Sequence, residues 1–144
     1  MDDGQARLRL DDFELYGLAR AFRKKVSRLI AQLPTAERYC LDPQMRKAAV
    51  SVTNNIAEGH GRWHFQENIQ FCRIARGSIE EIIDDLNVCL DERYAEQQLV
   101  EELKSEAYAL ISRVNGYVAY LRKSRQGSSQ LNHRARFGDT LPEK

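Results

Sequence analysis

Apolar residues recur every three or four positions along four stretches of the chain, the spacing of helices that bury one face. The first runs from about Phe13 to Leu33, with Leu15, Leu18, Phe22, Val26, Leu29 and Leu33 on its stripe. Pro34 ends it, because a proline ring excludes its predecessor from helical geometry. The second opens at Asp42-Pro43, an acceptor for free amides followed by a residue suited to the first helical position. Its stripe is Met45, Ala48 or Ala49, Val52 and Ile56, and Gly59 reads as a left-handed cap. The third begins near Phe65 and continues through Ile69, Cys72, Ala75, Ile79, Ile82 or Ile83, Leu86 and Leu90. The fourth carries a near-regular heptad of Leu99, Leu103, Ala107, Leu110, Val114, Tyr117 and Leu121, the seam of an antiparallel bundle crossing at roughly 20°.

Short connections after Leu33, after Gly59 and at Arg93 to Glu96 force neighbouring helices to run up, down, up and down. The expected fold is therefore all-α: an up-down-up-down antiparallel four-helix bundle over residues 11–125. Residues 1–10 read as a flexible N-terminus. From Gln126 to Lys144 the periodicity fails and Gly127, Ser128, Ser129, Gly138 and Pro142 intervene, so residues 126–144 read as a disordered basic-polar tail.

Composition narrows the class. A chain of 144 residues makes one domain, and eight glycines with three prolines argue against a loop-rich sandwich or barrel. No apolar run approaches the ~18 residues of a membrane span. Asp2 and Asp3 stand where a secretory signal would be basic and then apolar. Cys40, Cys72 and Cys89 are odd in number, lack metal-type spacing and read as buried reduced thiols. A cytoplasmic protein with no membrane association is expected.

Charge is nearly balanced overall, 22 basic against 21 acidic residues, yet it is unevenly spread. Between residues 80 and 106 lie ten acids, from Glu80, Glu81, Asp84 and Asp85 to Glu106, against only Arg93 and Lys104, a net of −8. The remainder carries 20 basic and 11 acidic residues, a net of +9. The molecule is strongly dipolar.

No catalytic constellation accompanies these helices. The chain has no Gly-rich phosphate loop, no Gly-x-Ser-x-Gly elbow, no His-Glu-x-x-His helix and no Glu-x-x-His pair for a di-iron bundle. His60 and His64 with Glu58 and Glu67 are the nearest approach to a ligand set, but Gly59 and Gly61 break the helix that would align the rings, and exposed loop histidines are the plainer reading. Cys72 falls on an apolar stripe rather than in a nucleophile's setting. No catalytic residue, metal or cofactor is expected.

Polar and small residues instead concentrate in the middle of the chain. Asn55 borders the buried stripe of the second helix, Glu58 lies one turn further along that edge, and Arg62 in the loop beyond offers a bidentate fork. Buried polar groups of this kind must find partners, at a cost of about 1–3 kcal/mol if they do not. Gly77 sits mid-helix at about 1 kcal/mol disadvantage to alanine, which a close helix crossing, or Asn55 approaching its backbone, would justify. The expectation is a structural polar network of Asn55, Glu58, Gly59, Arg62, Glu67, Gly77, Ser78 and Glu81 joining the second helix to the third. A structural role is favoured over an active site because no nucleophile or ligand set accompanies it.

These same residues carry a family resemblance. Ser51, Asn55, Ile56, Ala57, Glu58 and Gly59, then Arg62, Glu67 and Phe71, then Gly77, Ser78 and Glu81 resemble the three signature elements of the 23S rRNA-intervening sequence proteins, with Val52 in place of isoleucine. The resemblance spans roughly residues 13 to 122; Phe13-Glu14-Leu15-Tyr16 departs from the more aromatic opening of the family, and the basic tail after Arg122 lies outside its pattern. It implies a bundle that assembles into a ring-like homo-oligomer, commonly a pentamer, without known enzymatic activity. The related accessory variability determinants of diversity-generating retroelements bind nucleic acid and a partner reverse transcriptase through a basic surface, so RNA and such an enzyme are the partners that the resemblance implies.

Up-down topology places the end of the second helix, the start of the third and the end of the fourth beside the start of the first. Arg20, Arg62, Arg73, Arg76, Arg113, Arg122, Lys123 and Arg125 gather toward that pole, and the acidic hairpin forms the other. Arg20, Lys24 and Arg28 also recur every four residues as a basic line, with Arg23 and Lys25 beside it. The nucleic-acid-binding candidates are Arg20, Arg23, Lys24, Arg28, Arg73, Arg76, Arg113, Arg122, Lys123 and Arg125, reading phosphates without a base code. In the competing reading the basic pole meets the acidic hairpin of a neighbouring subunit, and the protein is a structural or protein-binding adaptor. Trp63 and Phe65, in a glycine-flanked loop, either pack under the bundle end or contact a neighbour.

Overall fold

The computed structural model describes residues 8–137, with side chains as far as residue 124. A 3-10 turn at Leu10–Asp12 leads into helix α1 (Glu14–Ile30), and a second at Thr35–Glu37 leads into α2 (Leu41–His60). Helices α3 (Phe65–Asp91) and α4 (Gln97–Phe137) complete the chain. Each helix packs on its neighbour in sequence, and α4 closes back against α1, so the bundle is antiparallel and up-down-up-down. Among the described residues there is no strand, and no helix is long and apolar enough to cross a membrane. Residues 1–7 and 138–144, and the side chains beyond Ser124, lie outside the described residues, while the backbone of residues 126–137, the first part of the expected tail, continues α4.

The core is one continuous cluster built from the four stripes. Phe22, Val26, Met45, Val52, Ile56, Ile79, Ile82, Leu86, Val100 and Val114 have almost no exposed surface. On α1 the stripe is shifted from the expected one. Ala19 and Ile30 are buried while Leu18 is 41% exposed, because a helix that meets neighbours on two sides buries a stripe wider than a strict three-four run of large residues shows. On α4 the heptad holds, with Val100 and Val118 buried alongside it and Leu99 and Tyr117 at its edges.

Helix ends depart from the expected caps in instructive ways. The first amide of α2 is satisfied from outside the helix: Leu41 N–H donates to Glu37 Oε2 at 3.2 Å. Asp42 lies inside the first turn and accepts from Arg46 Nε at 2.8 Å instead of capping. Gly59 is not a left-handed cap. It lies within α2, which ends at His60, and Gly61 follows in right-handed geometry (φ −76°). After α3 the left-handed residue is Arg93 (φ 58°), with Arg93 N–H bonded to Leu90 O at 3.2 Å and Tyr94 N–H to Cys89 O at 2.8 Å. Those two bonds satisfy the Leu90 and Cys89 carbonyls in the last turn of α3 and turn the chain into α4.

Candidate nucleic-acid interface

Helices α1 and α2 lie side by side with their polar edges facing the same way, and an open groove of about 440 Å³ runs between them. Arg23, Lys24, Ser27 and Arg28 form one wall, Arg46 and Val50 the other, and Ile30 and Ala49 contribute to the floor. No carboxylate lines it. Four cations from two helices therefore face one concave surface, Arg46 already paired with Asp42 at 2.8 Å, and low-dielectric walls concentrate the field of the other three. Arg23 is fixed by a hydrogen bond from Nη1 to Oγ1 of the buried Thr53 at 2.8 Å, while Lys24, Arg28 and Arg46 are exposed. Arg46 was missing from the sequence-based set. The signal available was its position on the exposed side of α2, near the basic line of α1 once the two helices are taken as neighbours.

The other basic candidates are distributed differently. Arg73 and Arg122 share a hollow with Gln66, Glu67, Ile69 and Gln70 between α3 and α4. Arg113 is paired with Glu14 across the α1–α4 seam, and Arg76 Nη1 donates to Asn115 Oδ1 at 2.7 Å. Arg20 and Lys123 are exposed on α1 and α4, and the Arg125 side chain lies outside the described residues. The charge separation thus runs by face as well as by end. Lys25 on α1 even crosses to Glu106 of the acidic segment at 2.9 Å.

The expected polar network is narrower than its residue set. Ser51 Oγ and Ser78 Oγ lie 2.7 Å apart across α2 and α3, and Asn55 Nδ2 donates to Ser51 Oγ at 3.0 Å and to Ser51 O at 2.8 Å. Ser51, which the pattern reading placed only in the family signature, is the hub. Glu58 and Arg62 pair with each other at 3.2 Å on the surface, and Arg62 also lies over the Phe71 ring at 5.1 Å. Glu67, Glu81 and Gly77 are exposed and outside the cluster. A Cβ at Gly77 would meet nothing within 4 Å, so no close crossing explains that glycine. The close crossing is at Gly59, where a Cβ would lie 2.5 Å from Asn68 Oδ1 and 3.1 Å from both Asn68 O and Phe71 Cβ.

Other groups take roles the sequence did not suggest. His60 is a helix residue rather than a loop histidine: its ring stacks on Phe13 at 4.9 Å and its Nε2 lies 2.7 Å from Leu8 O. Among the described residues, no three His, Cys, Asp or Glu side chains converge as a metal set. Cys72 and Cys89 are buried, and burial pushes each thiol up to about 11, far from a nucleophile's range. Cys40, expected to be buried, is exposed in the turn before α2. Trp63 does not pack under the bundle end; it is 84% exposed, whereas Phe65 packs partly against the core.

Asp85, counted among the acidic hairpin charges, is 1% exposed. Its Oδ1 accepts from Gln44 Nε2 at 2.7 Å, and its Oδ2 has no hydrogen-bond partner. Burial, with Asp84 and Glu81 nearby and against the Gln44 bond, raises its carboxyl to about 6. Close by, Tyr94 Oη donates to Glu37 Oε1 at 3.1 Å, a bond to a carboxylate that raises the phenol above its ordinary value.

No curated protein matches the sequence. A solved structure described as a protein of unknown function from the S23 ribosomal protein family of Bacteroides thetaiotaomicron superposes with a TM-score of 0.67 at 14% identity. The match covers 72% of this chain and 97% of that one, and at such identity it speaks for the fold alone. The model of the 23S rRNA-intervening sequence proteins matches residues 11–116, which contain the first three helical stripes, the fourth as far as Val114, and the Ser51–Asn55–Ser78 cluster. The chain belongs to the 23S rRNA-intervening sequence protein family.

Proposed function

We propose that this protein is a non-enzymatic bundle that self-assembles and binds structured RNA through the groove between α1 and α2. The observation that carries the reading is the convergence of Arg23, Lys24, Arg28 and Arg46 on one concave surface without a lining carboxylate. Phosphate contacts of this kind give affinity without a base code, and they release counterions, so binding falls steeply with salt. Self-assembly is supported by the opposed charge of different faces, which suits a head-to-tail contact that closes into a ring. A reverse transcriptase held on the same basic surface is the more specific form of this reading.

The test is a salt titration of binding to a structured RNA hairpin, with mass measured under native conditions. Wild-type affinity is expected to drop about 10-fold or more between low and physiological salt. Replacing Lys24 and Arg28 together by alanine should weaken binding about 10-fold and reduce the salt slope by about 1–2. No binding at low salt overturns the RNA reading. The alternative, a protein-interaction adaptor, rests on Trp63 and on a second groove of about 320 Å³ between α1 and α4, where Leu18 and Ala109 offer apolar surface.

A further inference from the structure

The α1–α2 groove differs from a plain phosphate-binding strip in having an apolar lining as well as cations. Val50 is 47% exposed at the rim, above the nearly covered Ala49 and Ile30. A volume of about 440 Å³ falls within the range of small-ligand sites. The phosphates of an intact duplex lie on its outside and reach cations without needing a hollow, and its bases stay stacked within. A concave site with an aliphatic edge at Val50 and a cationic wall opposite matches a ligand that is apolar and flat on one side and anionic on the other.

We propose that this groove takes a single unpaired nucleotide extruded from an RNA stem. This rests on the RNA reading above and deepens it. The base lies against Val50, with the Arg28 guanidinium plane available to stack on it. The adjoining phosphate meets Arg23 and Lys24. Arg23 is already directed by Thr53, so one cation is in place before the ligand arrives. Extruding a paired base costs a few kcal/mol, and a bulged base far less, so the groove discriminates between stems by that difference without reading a base edge. The shared ligand chemistry is a nucleoside phosphate, and the RNA-borne form is the one proposed.

Three probes test it on the full chain at fixed salt: a fully paired RNA hairpin, the same hairpin with one bulged adenosine, and free adenosine 5′-monophosphate. The bulged hairpin is expected to bind at least 10-fold more tightly than the paired one. Val50→Ser, at an exposed position and with its fold checked by circular dichroism, should reduce that preference below 3-fold, the ratio of the two hairpin affinities being the readout. Equal affinity of the wild type for the two hairpins overturns the nucleotide site while the RNA reading stands. Binding of neither hairpin at low salt overturns both. Adenosine monophosphate binding more tightly than the bulged hairpin overturns the RNA-borne form and makes the groove a site for a free nucleotide.

Discussion

Near the start of α3, buried Asn68 uses its amide on both sides: Nδ2 donates to Tyr117 Oη at 3.0 Å, and Oδ1 accepts from Cys72 Sγ at 3.6 Å while pressing against Gly59. Near the end of the same helix, buried Asp85 receives one hydrogen bond from Gln44, and its second oxygen is unmatched. Both residues face α2, and both are nearly inaccessible to water. The amide fits because it is neutral and offers donor and acceptor to a neighbourhood holding one of each. The carboxylate fits poorly because it offers only acceptors where a single donor is present. One end of the α2–α3 seam is therefore settled by shape, and the other is sensitive to a proton.

The largest expected effect lies at the Asp85 end. Its carboxyl titrates near 6 in the folded chain against 3.8 ordinarily, so the native state holds the proton more tightly than the unfolded state. The stabilisation is complete below about 3.8 and is lost as pH rises through about 6. A gap of that size corresponds to about 3 kcal/mol at neutral pH. Urea unfolding at a series of pH values should show the wild type losing about that much more stability between pH 4 and 7 than Asp85→Asn does. Matching slopes for the two proteins would place the titration elsewhere.

Gly59→Ala probes the shape-settled end. The added methyl collides with Asn68, whose side chain is held by two partners, and the expected loss is about 2 kcal/mol despite alanine's better helix propensity. In an Asn68→Ala background, where the nearest atom is gone, the same change should cost less than about 1 kcal/mol, a coupling that a double-mutant cycle measures by thermal melts.

The smallest effect reverses sign. Gly77→Ala places a methyl in open space on an exposed helix position and should stabilise by about 0.5–1 kcal/mol. If Gly77→Ala destabilised the chain, the assignment of close packing to Gly59 alone would fail.

These two glycines also show what the sequence could and could not convey. Four apolar periods fixed the number, order and direction of the helices, since period and loop length leave few other arrangements. Each glycine reads alike in the sequence, as a cap or as a crossing. Only the position of α3 across α2 decides that Gly59 is pressed by Asn68 and Gly77 by nothing. Ser51 shows the same limit: its partner Ser78 is 27 residues away, and that pairing depends on the register between helices. Arg46 joined the basic set for a similar reason, because a line of cations on one helix becomes a groove only when the neighbour's edge is known. Asp85 was hidden by composition, since an acid amid acids gives no sign that it faces inward.

The tether between Arg23 and Thr53 bears on how the groove meets an anion. A long flexible side chain forfeits on the order of 0.5–1.5 kcal/mol of rotational freedom when a ligand immobilises it. Arg23 has given up that freedom during folding, so its share of any anion contact arrives with a smaller entropic penalty than the share of Lys24 or Arg28. A groove of this kind meets its ligand with one rigid cation and several adjustable ones, the first setting where a phosphate lands and the others adapting to what comes attached to it.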